Sequence, residues 1–273
     1  MPGSQPNLPE SIPDILIITH AMLSGAAILI PIPFVDDFIV SIVRQNLVRV
    51  LAKYNGVEIS PEEVRLLSGL DSGDGCWPGL LNVLKYPFKI VRQLIRVLEV
   101  KKSLETATHT YYTGILLNEV MQNGWYQRER FGMIHQAIHY IKKNANKDLV
   151  MEIFRSYLVL NKENFIILTT WGRETFSYLF EATRSQARGL WRRIRLLRTK
   201  VEENPETLFE RQPPQITKLA RQIYENLDSN LLGKPQAQKK EMFELLAIAL
   251  RPEETVENAP LTPPNDVLRL RGW

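Results

Sequence analysis

Residues 15–54 read ILIITHAMLSGAAILIPIPFVDDFIVSIVRQNLVRVLAKY, two apolar segments joined at Pro31-Ile32-Pro33-Phe34. From Ile15 to Ile32 the chain is nearly all apolar, interrupted only by Thr19, His20, Ser24 and Gly25. With Asp14 ahead of it as an N-cap, this run predicts a helix. Pro31 and Pro33 end it, because proline lacks the amide donor and disfavours helical geometry in the residue before it. Asp36 or Asp37 caps a second helix, Phe38 to Tyr54. Its apolar positions Ile39, Ile42, Val43, Leu47, Val50 and Leu51 recur at helical spacing, with Arg44 and Arg49 near the opposite side.

The first run holds 18 residues, close to the roughly 20 that span a bilayer. Against spanning stand the proline at its end, His20 near its middle and the lack of basic anchors at either boundary. The expectation is therefore a pair of core helices, ahead of a re-entrant or membrane-embedded hairpin.

Helix signals continue outward from the hairpin. Asn55-Gly56 is a left-handed stop. Ser60-Pro61-Glu62-Glu63 is a start, with a capping serine, proline in the first turn and Glu63 closing a capping box. Asp71–Gly79 reads as a loop. Further helices are expected over 87–121 (with Thr106–Thr113 as a candidate break), 127–144, 148–160, 161–197, 215–231 and 236–250, and Asn123-Gly124 closes the first of these. No run alternates long enough to support a sheet. The fold class is all-α, a multi-helix bundle with a hydrophobic N-terminal helical hairpin. Its expected organisation is a disordered lead over 1–13, a main helical domain over 14–200, a linker over 201–214, a C-terminal helical segment over 215–251 and a proline-rich tail over 252–273.

Hydrophobic residues make up 44% of the 273 residues and charged residues 23%, enough to build a core. Cys76 is the one cysteine, which excludes an internal disulfide framework and a multi-cysteine metal site. The start, MPGSQPNLPESIPD, lacks the basic character of a secretory signal, so a cytoplasmic protein is expected.

The net charge of +4 is unevenly placed. Residues 85–102 carry six basic residues against Glu99, and residues 184–200 carry seven with no acid, leaving the remainder at −8. Within these stretches Lys85, Lys89, Arg92 and Arg96 fall at helical spacing on one stripe, as do Arg184, Arg188, Arg192, Arg195 and Arg198, with Trp191 on the apolar side. Arginine opposite an interfacial tryptophan suits an amphipathic helix lying on anionic lipid. The alternative is an ordinary solvated face, or one that docks an acidic protein. Nucleic acid ranks below lipid, because the aromatics lie away from the arginines, where bases cannot stack between them.

His135 and His139 stand at i, i+4, a spacing that can chelate zinc, with His109 as a third ligand from elsewhere. Gln-Ala-Ile between them lacks the glutamate of a zinc-protease motif. A histidine-based metal hydrolase is thus a distant reading, and no catalytic residue, metal ligand or cofactor is assigned. Phosphate-binding glycine loops and serine-nucleophile motifs are absent from the sequence. Cys76 has no neighbouring histidine or lysine to stabilise a thiolate.

Residues 22–67 resemble a helical bacterial family of unknown function that accompanies membrane-associated GTPases, a pattern shared by EcsC-like proteins. The matching residues are Pro31, Pro33, Asp36, Tyr54, Gly56 and Val57, with Asn55 inserted between tyrosine and glycine. Tyr86-Pro87-Phe88-Lys89 is similar to a segment of bacterial proteins with the same hairpin. The match covers about a sixth of the chain. It implies an all-helical, membrane-associated protein and supplies no catalytic residue. The expectation is a non-enzymatic scaffold or regulator, peripheral on the inner face of the membrane. It would bind anionic lipid through its basic helices, with a protein partner as the alternative occupant.

Overall fold

The computed structural model describes residues 11–29, 36–68, 88–145, 147–182, 212–229 and 235–250, with single positions at 196, 199, 201, 204, 208 and 209. Within the helices, the side chains of 11, 36–37, 88–98, 179–180, 182, 228–229 and 235–239 fall outside that description. Among the described residues there are nine α-helices and no strand. They are α1 (Ser11–Leu29), α2 (Asp36–Tyr54), α3 (Pro61–Leu67), α4 (Phe88–Gln122), α5 (Phe131–Asn144), α6 (Asp148–Arg155), α7 (Lys162–Ala182), α8 (Pro214–Ser229) and α9 (Pro235–Leu250). The protein is all-α, as its periodicity predicts.

Most helix ends follow the local chemistry. Gly56 and Gly124 both take φ +66°. At the first, Val57 N–H reaches Ala52 O at 2.8 Å and Gly56 N–H reaches Lys53 O at 3.3 Å, so the orphan carbonyls of α2 are satisfied. At the start of α3, Glu63 N–H donates to Ser60 Oγ at 3.3 Å and Ser60 N–H to Glu63 Oε2 at 2.7 Å, the two halves of the capping box.

Three boundaries differ from expectation. First, α1 begins at Ser11, not after Asp14. Pro13 occupies its first turn, where a missing N–H leaves no bond unmade. The Pro31–Phe34 joint lies outside the described residues.

Second, α4 runs unbroken through Thr106–Thr113. Thr110 Oγ1 donates to Thr106 O at 2.9 Å and Thr113 Oγ1 to His109 O at 2.8 Å, so the hydroxyls are satisfied within the helix and do not compete with its ladder. Third, the helix expected over 148–160 is α-helical only to Arg155 and widens to a π turn over Ser156–Leu160. There Asn164 Nδ2 takes the Tyr157 carbonyl at 3.0 Å, while Asn161 Oδ1 accepts from Asn164 N–H at 3.0 Å and opens α7.

Helix α1 is the centre of the bundle. It packs on α2, α4, α7 and α8, and every residue from Ile17 to Ile28 is buried. Its closest approach is to α4. Ser103 Oγ donates to Gly25 O at 2.8 Å, and a Cβ at Gly114 would lie 2.6 Å from Ile17 Cγ2. Small residues at both contacts let the two helices meet closely. Leu208, from the stretch read as a linker, is fully buried, and the Phe209 ring packs on His20 at 4.6 Å between centroids. One described helix segment, Ile12–Leu29, is long and apolar enough to cross a membrane.

Candidate functional site

Of the basic residues marked in the sequence, Lys89, Arg92 and Arg96 lie within α4, whose continuous backbone keeps the three on one face by their spacing. Their side chains, together with Lys85, Arg184, Arg188, Trp191, Arg192, Arg195 and Arg198, lie outside the described residues. Where that first basic segment becomes described, Lys101 and Lys102 are exposed, and Lys101 Nζ stands 3.7 Å from Glu105 Oε1.

A second concentration of positive charge was not assigned from sequence. It gathers Arg44 from α2, His109 from α4, Lys142 from the last turn of α5 and Lys147 from the α5–α6 connection. All four side chains are half-buried. Arg44 Nε donates to Thr110 Oγ1 at 3.0 Å, and Lys142 Nζ donates to Thr113 Oγ1 at 3.4 Å. Both hydroxyls give their own hydrogens to α4 carbonyls, which leaves their lone pairs for the cations. Lys147 Nζ lies 3.4 Å from His109 Nε2. The ammonium can only donate there, so the imidazole proton resides on Nδ1.

Burial, then Lys147, Lys142 and Arg44, lower the His109 pKa to about 4. Burial lowers Lys142 to about 8, with Arg44 and Lys147 adding to it. At neutral pH the group therefore holds a neutral imidazole and three cations. Lys147, Lys142 and Arg44 act on His109, and Arg44 and Lys147 on Lys142, all as positive charges. Among the described residues, no carboxylate stands within ion-pair distance of Lys142 or Lys147. Asp148, the next residue along, is exposed at the start of α6.

No family model, curated protein or solved structure matches the chain.

The other histidines divide by environment. His135 and His139 stack on the surface of α5 with centroids 6.5 Å apart. His109, the third ligand considered for them, stands instead among the cations. Among the described residues no three His, Cys, Asp or Glu side chains converge as metal ligands.

His20 is fully buried in α1, with Nδ1 2.7 Å from Leu16 O and Nε2 2.8 Å from the Asn46 carboxamide. Burial lowers its pKa more strongly than Asn46 and Leu16 raise it. A neutral ring has one N–H, and Leu16 O can only accept. Nδ1 is therefore the donor and Nε2 an acceptor, a pairing that needs the Asn46 carboxamide to present its nitrogen in place of the Oδ1 that stands 2.8 Å from Nε2.

Proposed function

We propose that the protein is a non-enzymatic helical scaffold or regulator that holds peripherally to an anionic membrane surface through its basic segments, on the inner face of a bacterial membrane. The observation that carries this reading is the 184–200 stretch, where seven basic residues and a tryptophan occur without an acid. The burial of α1 supports a peripheral attachment over an inserted one, because its apolar side chains already face other helices. The resemblance of residues 22–67 to proteins that accompany membrane-associated GTPases points the same way.

Flotation of the full chain with phosphatidylglycerol vesicles tests the reading. Each basic residue near such a surface contributes about 1 kcal/mol, so an Arg188/Arg192/Arg195 triple alanine variant should bind ~100-fold more weakly. Binding should also fall with salt. Salt-insensitive binding, or equal binding by the variant, would sink the proposal. No vesicle binding by a protein that stays monodisperse without detergent would favour the alternative, docking of an acidic protein partner.

A further inference from the structure

Lys142, in the last turn of α5, has no role in the reading above, and its surroundings are unusual for a lysine. The side chain is half-buried and donates to a neutral hydroxyl, Thr113 Oγ1, at the long distance of 3.4 Å. A lysine withdrawn from water normally meets a carboxylate, since burial of a charge without one costs stability. Among the described residues Lys142 has no such partner. Asp148, the nearest acid in sequence, is exposed and makes an interaction of its own.

Its other neighbours are basic. Thr110 Oγ1 accepts from Arg44 Nε at 3.0 Å, and His109 Nε2 stands 3.4 Å from Lys147 Nζ. Positions 109, 110 and 113 of α4 thus bring three basic side chains to one place. Arg44 makes a further interaction besides Thr110. Its influence on Lys142 is still that of a positive charge, as is that of Lys147. Burial and like charge both penalise the ammonium form and favour the free amine. Burial is the larger cause, and together they hold Lys142 at about 8. Roughly a tenth of such a lysine is free base at pH 7, a few hundred times the share of an ordinary one.

A free amine is a nucleophile, and desolvation or a neighbouring cation is how reactive lysines are prepared. The charge of the site decides which electrophile suits it. An aldehyde or ketone gives an imine that protonates to a cation, so the positive charge disfavoured at Nζ returns. Carbon dioxide gives an anion instead, and a carboxylate beside arginine and lysine is favoured. It is also small and uncharged, and Lys142 remains partly exposed, so it reaches the nitrogen without a large desolvation penalty.

We propose that Lys142 is a site of reversible carbamylation, at which its ε-amine adds carbon dioxide and the charges of Arg44 and Lys147 stabilise the carbamate formed. The nitrogen lone pair forms the N–C bond, one C=O π pair moves onto oxygen, and an amine proton leaves to water. The free amine and carbon dioxide thus give an N-carboxylate and one proton, with no oxidant, reductant or leaving group. The carbamate nitrogen keeps one N–H, which serves the contact with Thr113 Oγ1. Relative to the ammonium form, the side chain changes from one positive charge to one negative. The α2–α4–α5 junction therefore changes its charge with dissolved carbon dioxide.

Trapping tests this on the full chain, equilibrated with carbon dioxide and bicarbonate near neutral pH. A trialkyloxonium salt alkylates the carbamate oxygen to a stable ester, and peptide mass spectrometry locates it. Lys142 should carry the label at a level about tenfold or more above the exposed Lys101, Lys143 and Lys162. Lys147→Gln, whose side chain caps no helix, should lower trapping at Lys142 several-fold, because the charge it removes opposes the ammonium and favours the carbamate. Lys142→Met keeps the stem and removes the buried charge. That variant should melt at or above the wild-type temperature and should lose the carbamate resonance that carbon-13 dioxide gives the wild type. If it does not fold, the wild-type peptide map and Lys147→Gln decide the matter. No label at Lys142, a label no greater than at the exposed lysines, or trapping unchanged in Lys147→Gln overturns the proposal.

Discussion

His20 on α1 and His109 on α4 sit on helices that pack against each other, and burial leaves both rings neutral at pH 7. Around His20 the surroundings are complete. Leu16 and Asn46 occupy its two nitrogens and Phe209 covers its ring. Around His109 the surroundings are lopsided, because Lys147, Lys142 and Arg44 all act in the same direction as burial. A satisfied buried histidine stabilises the position it occupies. A histidine crowded by half-buried cations instead makes the stability of its surroundings sensitive to pH.

The largest expected effect comes from breaking the complete side. His20→Ala removes two hydrogen bonds and the ring under Phe209 and leaves a cavity in the centre of the bundle. It should cost about 3 kcal/mol in denaturant unfolding. A loss under 1 kcal/mol would show that the core repacks there freely. Gly114→Ala probes the same α1–α4 contact more gently. The new Cβ would meet the branched Ile17 side chain at 2.6 Å, and Ile17 is fully buried and cannot swing away. Overpacking outweighs the better helix propensity of alanine, for a net loss of about 1 kcal/mol. An unchanged Tm would mean the helices separate at little cost.

Changes in pH sharpen the crowded side, with smaller effects. His109 has a folded pKa of about 4 against an ordinary 6.5. The unfolded chain binds more protons in that window, so stability is full above it and is lost as pH falls from 6.5 toward 4. His109→Gln keeps an acceptor for Lys147 and removes the titration. Its Tm should fall less than that of the wild type over the same range, and parallel curves would contradict the assignment.

Lys142 runs at the alkaline end. Its folded pKa of about 8 lies below the ordinary 10.5, so the penalty of its charge is full below 8 and disappears as pH rises between the two values. The Tm advantage of Lys142→Met should be widest near neutrality and close through that window. An advantage that is constant with pH would place its origin elsewhere.

How much of this was legible in the sequence differs between the two regions for a physical reason. The N-terminal helices are legible because the apolar run of α1, the α2 stop at Asn55-Gly56 and the Ser60–Glu63 capping box of α3 are all local signals, written within a few residues of where they act. The start at Ser11 was missed because a proline in a first turn reads equally well as lead or as helix. The unbroken course of α4 was missed because Thr106–Thr113 looks like a β-branched interruption until the back-bonds to its own carbonyls are seen.

The cation cluster was not legible at all. Arg44 falls near the side of α2 opposite its apolar positions, and no local motif marks Lys142 or Lys147. Packing of α2, α4 and α5 brings them together across about a hundred residues of sequence. A residue such as His109, with threonines on both sides of it on one helix, gives at most a hint of a polar face turned inward.

The central claim is that the apolar helix is sealed in the core while attachment to a membrane is left to the basic segments. Hydrogen exchange of the full chain, with and without phosphatidylglycerol vesicles, tests it directly. The account predicts that amides of Ile17–Ile28 stay protected at the level of global unfolding in both conditions, and that vesicles slow exchange in the 184–200 segment. Faster exchange of Ile17–Ile28 on adding vesicles, with no change at 184–200, would contradict it.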